Sequence, residues 1–173
     1  MWRREILAGM ADYRICVICS GNICRSPMGE VILRQLLDEA GLGDRVEVDS
    51  AGTGGWHEGD GADPRTLTSL TSGGYDGSAH RARQWQHAWY ADRDLVLVAD
   101  RGHERELRRH APTEQDRDKV RLMREFDDDA VAAGTLEVDD PYYGDAADFD
   151  RCRDEVEAAM RGVVEHVREQ LDA

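Results

Sequence analysis

The sequence predicts an α/β fold: a doubly wound sheet of about four parallel strands flanked by helices. Three observations carry that expectation. Short runs rich in β-branched residues alternate with segments whose apolar positions recur at helical spacing. The first such run passes through a tight small-residue loop straight into a helix, a connection typical of parallel α/β units. The chain is 173 residues long, enough for one domain that buries roughly two thirds of its unfolded surface without disulfide staples.

Tyr13 to Ile18 is the first run and reads as a strand buried on both faces. Cys19 to Ser26 forms the tight polar loop, and Pro27 then opens a helix where a missing N–H costs nothing. Val31, Ile32, Leu36 and Leu37 mark its buried face to about Ala40, and Gly41 stops it. Val46 to Ser50 is the second strand, followed by the glycine-rich loop from Ala51 to Trp56. A short helix is expected from Pro64 to Ser72, ended by Gly73 and Gly74. Trp85 and Trp89, spaced by four, read as one packed helical face.

Leu95 to Val98 is the clearest later strand, and Asp100 caps a helix through about Arg109. Lys119 to Met123 supplies one more short strand. Residues 127–147 are polar and turn-rich, so a long loop is expected, and loops of that length in compact domains are usually functional. Phe149, Cys152, Val156, Ala159, Met160, Val163, Val167 and Leu171 then line one face of a long final helix. Residues 1–9 read as an extension outside the fold or as a misplaced start ahead of Met10, which leaves residues 10–173 as a single domain.

Lys and Arg number 22 against 36 Asp and Glu, a formal net charge of −14. Such a balance argues against nucleic acid or an anionic membrane surface as partner, because both require a basic face. The charge is uneven: residues 125–173 hold 16 acidic and 4 basic side chains, leaving 20 and 18 for the rest. An anionic ligand therefore needs a locally built site. Four cysteines, Cys16, Cys19, Cys24 and Cys152, fit neither a disulfide framework nor a paired zinc motif. No apolar stretch has membrane-span length, so a cytoplasmic protein with reduced thiols is expected.

The chemistry concentrates in Cys19-Ser20-Gly21-Asn22-Ile23-Cys24-Arg25-Ser26-Pro27. Between a strand and a helix, such a loop aims several backbone N–H groups and a helix N-terminus at one point, an anion cradle. A thiol at its base should ionise readily, since those dipoles and Arg25 favour thiolate. Arg25 can present its planar fork to two oxygens at once. Cys16 and Cys152 read as buried packing residues, and His57 as peripheral.

The run from Val17 to Pro27 resembles the signature of the low molecular weight protein tyrosine phosphatases, and Asp140-Pro141-Tyr142-Tyr143 resembles their acid-bearing loop. Asp49 to Thr53 with Trp56-His57, and His80 to Gln84, resemble further family segments in the same order. The resemblance spans about residues 13–171 and is nearest to the actinobacterial members. It implies a phosphate-binding loop after the first strand, with Cys19 as nucleophile, Arg25 as oxyanion holder and Asp140 as general acid. Neighbouring Asp139 and a bound phosphate should raise the acid's pKa.

By the same resemblance Ser20, Gly21, Asn22, Ile23, Cys24 and Ser26 would surround the phosphate, with Ser26 also stabilising the Cys19 thiolate. Trp56, Tyr142 and Tyr143 would wall the cleft, and Asn22, Ser26, Ser50 and His80 would form a supporting hydrogen-bond network. Cys24 would resolve an oxidised Cys19. No metal or other cofactor is implied. The implied partners are phosphotyrosine-containing proteins, a bacterial tyrosine kinase or its targets among them. Three other readings stand beside this one. An arsenate reductase of the same fold is disfavoured because no cysteine lies between Cys24 and Cys152. A phosphoarginine phosphatase is disfavoured by Ile23, where such members carry Thr. A non-catalytic phosphopeptide sensor is disfavoured by the presence of both Cys19 and Asp140.

Overall fold

The strand-helix alternation resolves into a four-stranded parallel sheet in the order β2-β1-β3-β4: β1 (Tyr13–Cys19), β2 (Val46–Gly52), β3 (Leu95–Val98) and β4 (Val120–Leu122). The computed structural model describes residues 11–173, so the extension expected at residues 1–9 lies outside the described residues. β1 sits between β2 and β3, and Ile15 to Cys19 are buried, as a strand covered on both faces requires. Its side chains alternate between two cores. Ile15, Val17 and Cys19 join one with α1 (Arg25–Glu39), α2 (Pro64–Ser72) and α6 (Ala146–Asp172). Cys16 and Ile18 join the other, with Tyr90 and with Leu107 of α3 (Arg101–His110).

Local chemistry explains where the helices begin. Asp63 caps α2 by accepting from the Arg65 amide, with Pro64 in the first turn. Asp100 caps α3 as expected. Asp145 and Asp148 form a reciprocal capping box at the start of α6. The expected apolar face of α6 is buried from Phe149 to Val167, and Leu171 packs at its edge. Helix α1 starts two residues earlier than Pro27, which takes Arg25 and Ser26 into its first turn. Those amides lack intrahelical partners by construction.

Two expectations are corrected. Residues 127–147 are not one structureless loop: after a 3-10 turn (Met123–Phe126), Asp127 caps α5 (Asp128–Ala133), and Gly134 ends it with φ of 72°. The irregular stretch is shorter, about residues 135–145, and carries Asp140. Nor do Trp85 and Trp89 share a helical face. The Trp85 amide donates to the Gly52 carbonyl at 2.8 Å, which holds it extended beside β2, while Trp89 lies in a 3-10 turn (His87–Ala91). Their rings still meet edge to face at 5.7 Å. The segment from Thr113 to Lys119 adds a short helix α4 (Glu114–Asp118), capped by the Thr113 hydroxyl. No helix among the described residues is long and apolar enough to cross a membrane.

Helix α6 passes the Met123–Phe126 turn so closely that a Cβ at Gly162 would lie 1.7 Å from the Phe126 carbonyl oxygen. Alanine is the better helix former by about 1 kcal/mol. The collision is with backbone and no rotamer relieves it, so overpacking at about 1–3 kcal/mol should win. Gly162→Ala is therefore expected to lower the urea midpoint, and a raised midpoint would refute the close packing.

Candidate active site

Sheet register builds the base of the site. β1 and β2 pair Val17 with Ser50 and Cys19 with Gly52, so the end of β2 runs beside the loop that leaves β1. The Thr53 and Gly54 amides donate to the carbonyls of Cys19 and Ser20 at 2.9 and 3.0 Å. A Cβ on Gly52 would lie 2.6 Å from the Ser20 carbonyl oxygen, so only glycine permits this approach.

The loop turns at Asn22, whose φ of 59° places a fully buried non-glycine residue in the left-handed region. Hydrogen bonds fix its orientation. The Arg83 amide donates to Asn22 Oδ1 at 3.0 Å, which directs Nδ2 toward Ser26 Oγ at 2.7 Å and Ser50 Oγ at 2.9 Å. Ser50 donates in turn to the buried Glu30 carboxylate at 2.8 Å. Ser26 accepts from Asn22, so its own O–H is free to donate to Cys19 Sγ, 3.0 Å away. Burial holds His80 below its ordinary pKa, and its neutral ring donates from Nε2 to the Asn22 carbonyl at 2.7 Å. Every proton from Glu30 to Cys19 thus has a direction, and that direction suits a sulfur that accepts.

Arg25 is buried, 3% exposed. Its Nη1 donates to Asp100 Oδ2 at 2.8 Å and to the Val138 carbonyl at 2.9 Å, while Nη2 lies 3.8 Å from Asp140 Oδ2. Burial opposes the guanidinium charge, but Cys19, Asp100 and Asp140 together hold its pKa above the ordinary value. Asp100 is also disfavoured by burial, yet His103 and Arg25 keep its carboxyl below the usual range. The Asp100 amide donates to His103 Nδ1 at 3.3 Å, which leaves Nε2–H to donate to Ser20 Oγ at 2.9 Å. His103 Nδ1 is also 3.3 Å from Asp100 Oδ1; with the ring neutral this is no ion pair.

Cys19, Ser20, Gly21, Ile23, Cys24 and Arg25 line one cleft, faced by Trp56, Asp140, Tyr142 and Tyr143. Cys19 lies at its base, 3% exposed, and the Asp140 side chain at its mouth, 45% exposed. Asp140 Oδ1 accepts from the Tyr142 amide at 3.1 Å. Tyr142 and Tyr143 pack edge to face at 4.9 Å, and Tyr143 is 92% exposed. The Asn22 and Ser26 side chains are buried beneath the loop with Ser50 and His80, away from the cleft wall. His57 is not peripheral: it lines the cleft, packed over Gly21, with Nδ1 3.4 Å from Asp60. Cys16 and Cys152 are core residues, and burial raises both thiol pKa values; the Cys24 thiol is pushed up to about 12 by the same cause.

The roles of Glu30, Asp100, His103 and the Val138 carbonyl lie beyond the residues singled out from sequence. Asp100 was legible only as a helix cap, which occupies one of its oxygens while the other holds Arg25. Glu30 resembles any solvated helical carboxylate until β2 is placed against it.

A cysteine at the carboxyl end of a central parallel strand, cupped by a loop that opens a helix and sharing a cleft with an arginine and an aspartate, is an arrangement suited to holding an anion against a sulfur. The family model for low molecular weight phosphotyrosine protein phosphatase matches residues 14–173. A low molecular weight protein-tyrosine-phosphatase of Streptomyces coelicolor is 56% identical over 160 residues, covering 92% of this chain and 96% of the relative. Low molecular weight protein-tyrosine phosphatase A of Mycobacterium tuberculosis is 43% identical over 159 residues, covering 91% and 93%. A protein tyrosine phosphatase structure from Entamoeba histolytica superposes with a TM-score of 0.85 at 31% identity, covering 91% of this chain and 98% of that one. The chain belongs to the low molecular weight phosphotyrosine protein phosphatase family.

Burial pushes the His103 imidazole down to about 4 from 6.5, against the pull of Asp100. Between those values the unfolded chain binds a proton that the native state does not, so stability rises with pH there and falls on acidification. His103→Gln should remove that contribution, on the order of 3 kcal/mol across the window. Urea unfolding of wild type and variant from pH 7 to pH 4 checks it: parallel stability curves would show that His103 is not buried neutral.

Proposed function

We propose that residues 10–173 act as one phosphatase domain that hydrolyses phosphotyrosine on proteins through a cysteinyl-phosphate intermediate. The reading rests chiefly on one observation: the buried Cys19 sulfur and the half-exposed Asp140 carboxyl share a cleft that Arg25 also lines, its Nη2 3.8 Å from Asp140. In the first step the Cys19 thiolate attacks phosphorus, an S–P bond forms, the P–O bond to the tyrosyl oxygen breaks, and Asp140 gives that oxygen a proton. In the second, water attacks phosphorus, Asp140 takes its proton, and the sulfur leaves as a thiolate that accepts from Ser26. Arg25 and the amides of the loop, including that of Ser20, hold the equatorial oxygens as charge develops. With Nη1 fixed by Asp100 and Val138, the arginine brings a preorganised edge to the phosphate.

Specificity follows from shape. The nucleophile lies at the bottom of a cleft walled by Trp56 and Tyr142 with the apolar Ile23 in its lining, which suits a long aryl phosphate better than a short seryl ester. The phosphotyrosine-bearing partners we favour are a bacterial tyrosine kinase or its targets. The cytoplasm is the proposed setting, since Cys16, Cys19, Cys24 and Cys152 are all free thiols. An arsenate-reductase relay receives no support, because Cys152 is sealed in the core.

Cys19→Ser should abolish hydrolysis of p-nitrophenyl phosphate, and Asp140→Asn should lower kcat/KM for phenyl phosphate by about 10²–10⁴-fold; turnover by the serine variant would overturn the nucleophile assignment. Acidic residues dominate the segment from 125 onward, so phosphotyrosine peptides with basic neighbours should be hydrolysed faster at low salt. Measured kcat/KM for matched basic and acidic peptides should converge as salt rises, and a preference insensitive to salt would count against an electrostatic origin.

A further inference from the structure

The nucleophile and the acid come from segments more than a hundred residues apart, yet proton transfer requires them in fixed register. We propose that Arg65, paired with Asp63, is a positioning residue that holds the Asp140 loop over the Cys19 loop; this deepens the phosphatase reading above and rests on it.

Each link is a short contact. The Asp63 amide donates to the Ile23 carbonyl at 2.9 Å, which anchors the start of α2 to the phosphate loop. The Asp63 carboxylate, 9% exposed, accepts from the Arg65 amide at 2.8 Å, from Nε at 3.1 Å and from Nη2 at 2.9 Å. Arg65 Nη1 reaches across to donate to the Tyr142 carbonyl at 2.9 Å. The guanidinium carbon lies 4.6 Å from the ring centroid of Phe149, fully buried in α6, and 5.4 Å from that of Tyr142. Tyr142 completes the connection, because its amide donates to Asp140 Oδ1 at 3.1 Å. The path therefore runs Ile23, Asp63, Arg65, Tyr142, Asp140, with one end in each half of the site.

The residue types suit the task. A planar guanidinium can serve two acceptors on different edges while its face rests on an aromatic ring, which an ammonium cannot do. Asp63 matches the positive charge, so Arg65 carries geometry to the acid loop rather than a net field that would oppose a protonated acid. The clamp touches neither sulfur nor phosphate, and it acts through Asp140.

That mode of action has a kinetic signature. Phenolate is a poor leaving group and needs the proton, whereas p-nitrophenolate needs it little. In Arg65→Met, kcat/KM for phenyl phosphate should fall by about tenfold to a hundredfold, part of the general-acid contribution, while p-nitrophenyl phosphate should lose no more than about threefold. Arg65→Lys, which keeps a positive charge for Asp63 but loses the planar fork, should show the same selective loss and carries the test if the methionine variant does not fold. In an Asp140→Asn background, Arg65→Met should add less than about twofold, because the group it positions is gone. Equal losses on both substrates in the lysine variant, wild-type activity in that variant, or multiplying effects in the double variant would each overturn the clamp. An Asp140→Asn variant with a wild-type leaving-group profile would instead overturn the acid assignment, and the clamp with it; a steepened profile there beside a flat one in Arg65→Lys overturns the clamp alone.

Discussion

The site hangs on the left-handed turn at Asn22. Without it the loop leaving β1 could not curl back to aim its amides and the first turn of α1 at the space above Cys19. A non-glycine residue in that region costs of order 1 kcal/mol, and four hydrogen bonds to the same residue, each of about 0.5–1.5 kcal/mol, more than offset it. Glycine would allow the turn more easily but would lose the side chain that connects Ser50 to Ser26. The strain is therefore tied to the orientation of the proton network, and that network exists only because β2 is in register with β1.

Electrostatics repeats this pattern of local construction against an unfavourable background. In the proposed reading, a chain of net charge −14 would bind an anion here through contact-range donors, not through its long-range field. Asp100 is central to this. One carboxylate oxygen holds Arg25 and the other caps α3, while its own amide fixes the His103 tautomer that supports Ser20. The acidic side chain beside the arginine does not neutralise its function. It fixes one edge of the guanidinium, so that in the proposed mechanism the other would require no reorganisation as charge builds on phosphate.

Much of this was legible in the sequence, and what was not has a physical reason. Strand β1, the loop after it and the apolar face of α6 follow local periodicities that no tertiary contact overrides. Cys19, Arg25 and Asp140 were legible as a pattern of types and order, and they do line one cleft. Helix α5 was missed because its six residues, two Asp, three Ala and the exposed Val131, are too few to show an apolar periodicity, though the Asp127 cap and Gly134 stop were both in view. Trp85 and Trp89 misled because a spacing of four implies a helix only where the backbone is free to form one, and Trp85 is committed to Gly52. Glu30, His103 and Arg65 were invisible for another reason: polar residues on helices look solvated until a distant segment supplies their partner.

Burial divides the site by function. Cys19, Asn22, Arg25, Ser26, Ser50 and His80 are buried, each with defined partners, so their positions are set by the fold and a change in any one disturbs the others. Trp56 is 74% exposed and Tyr143 92%, so neither is needed to hold the fold together. Chemistry that must not vary sits where packing over-determines it, and contacts that select among substrates sit where sequence can drift at little cost in stability. Asp140 is the residue this division does not settle, since it belongs to the exposed half but must meet the precision of the buried one. A carboxylate in an irregular loop cannot obtain that precision from its own segment. It has to import it through backbone contacts to better-packed elements: on one side the buried Val138 joins Ala99 and Arg25, and on the other Tyr142 joins Arg65.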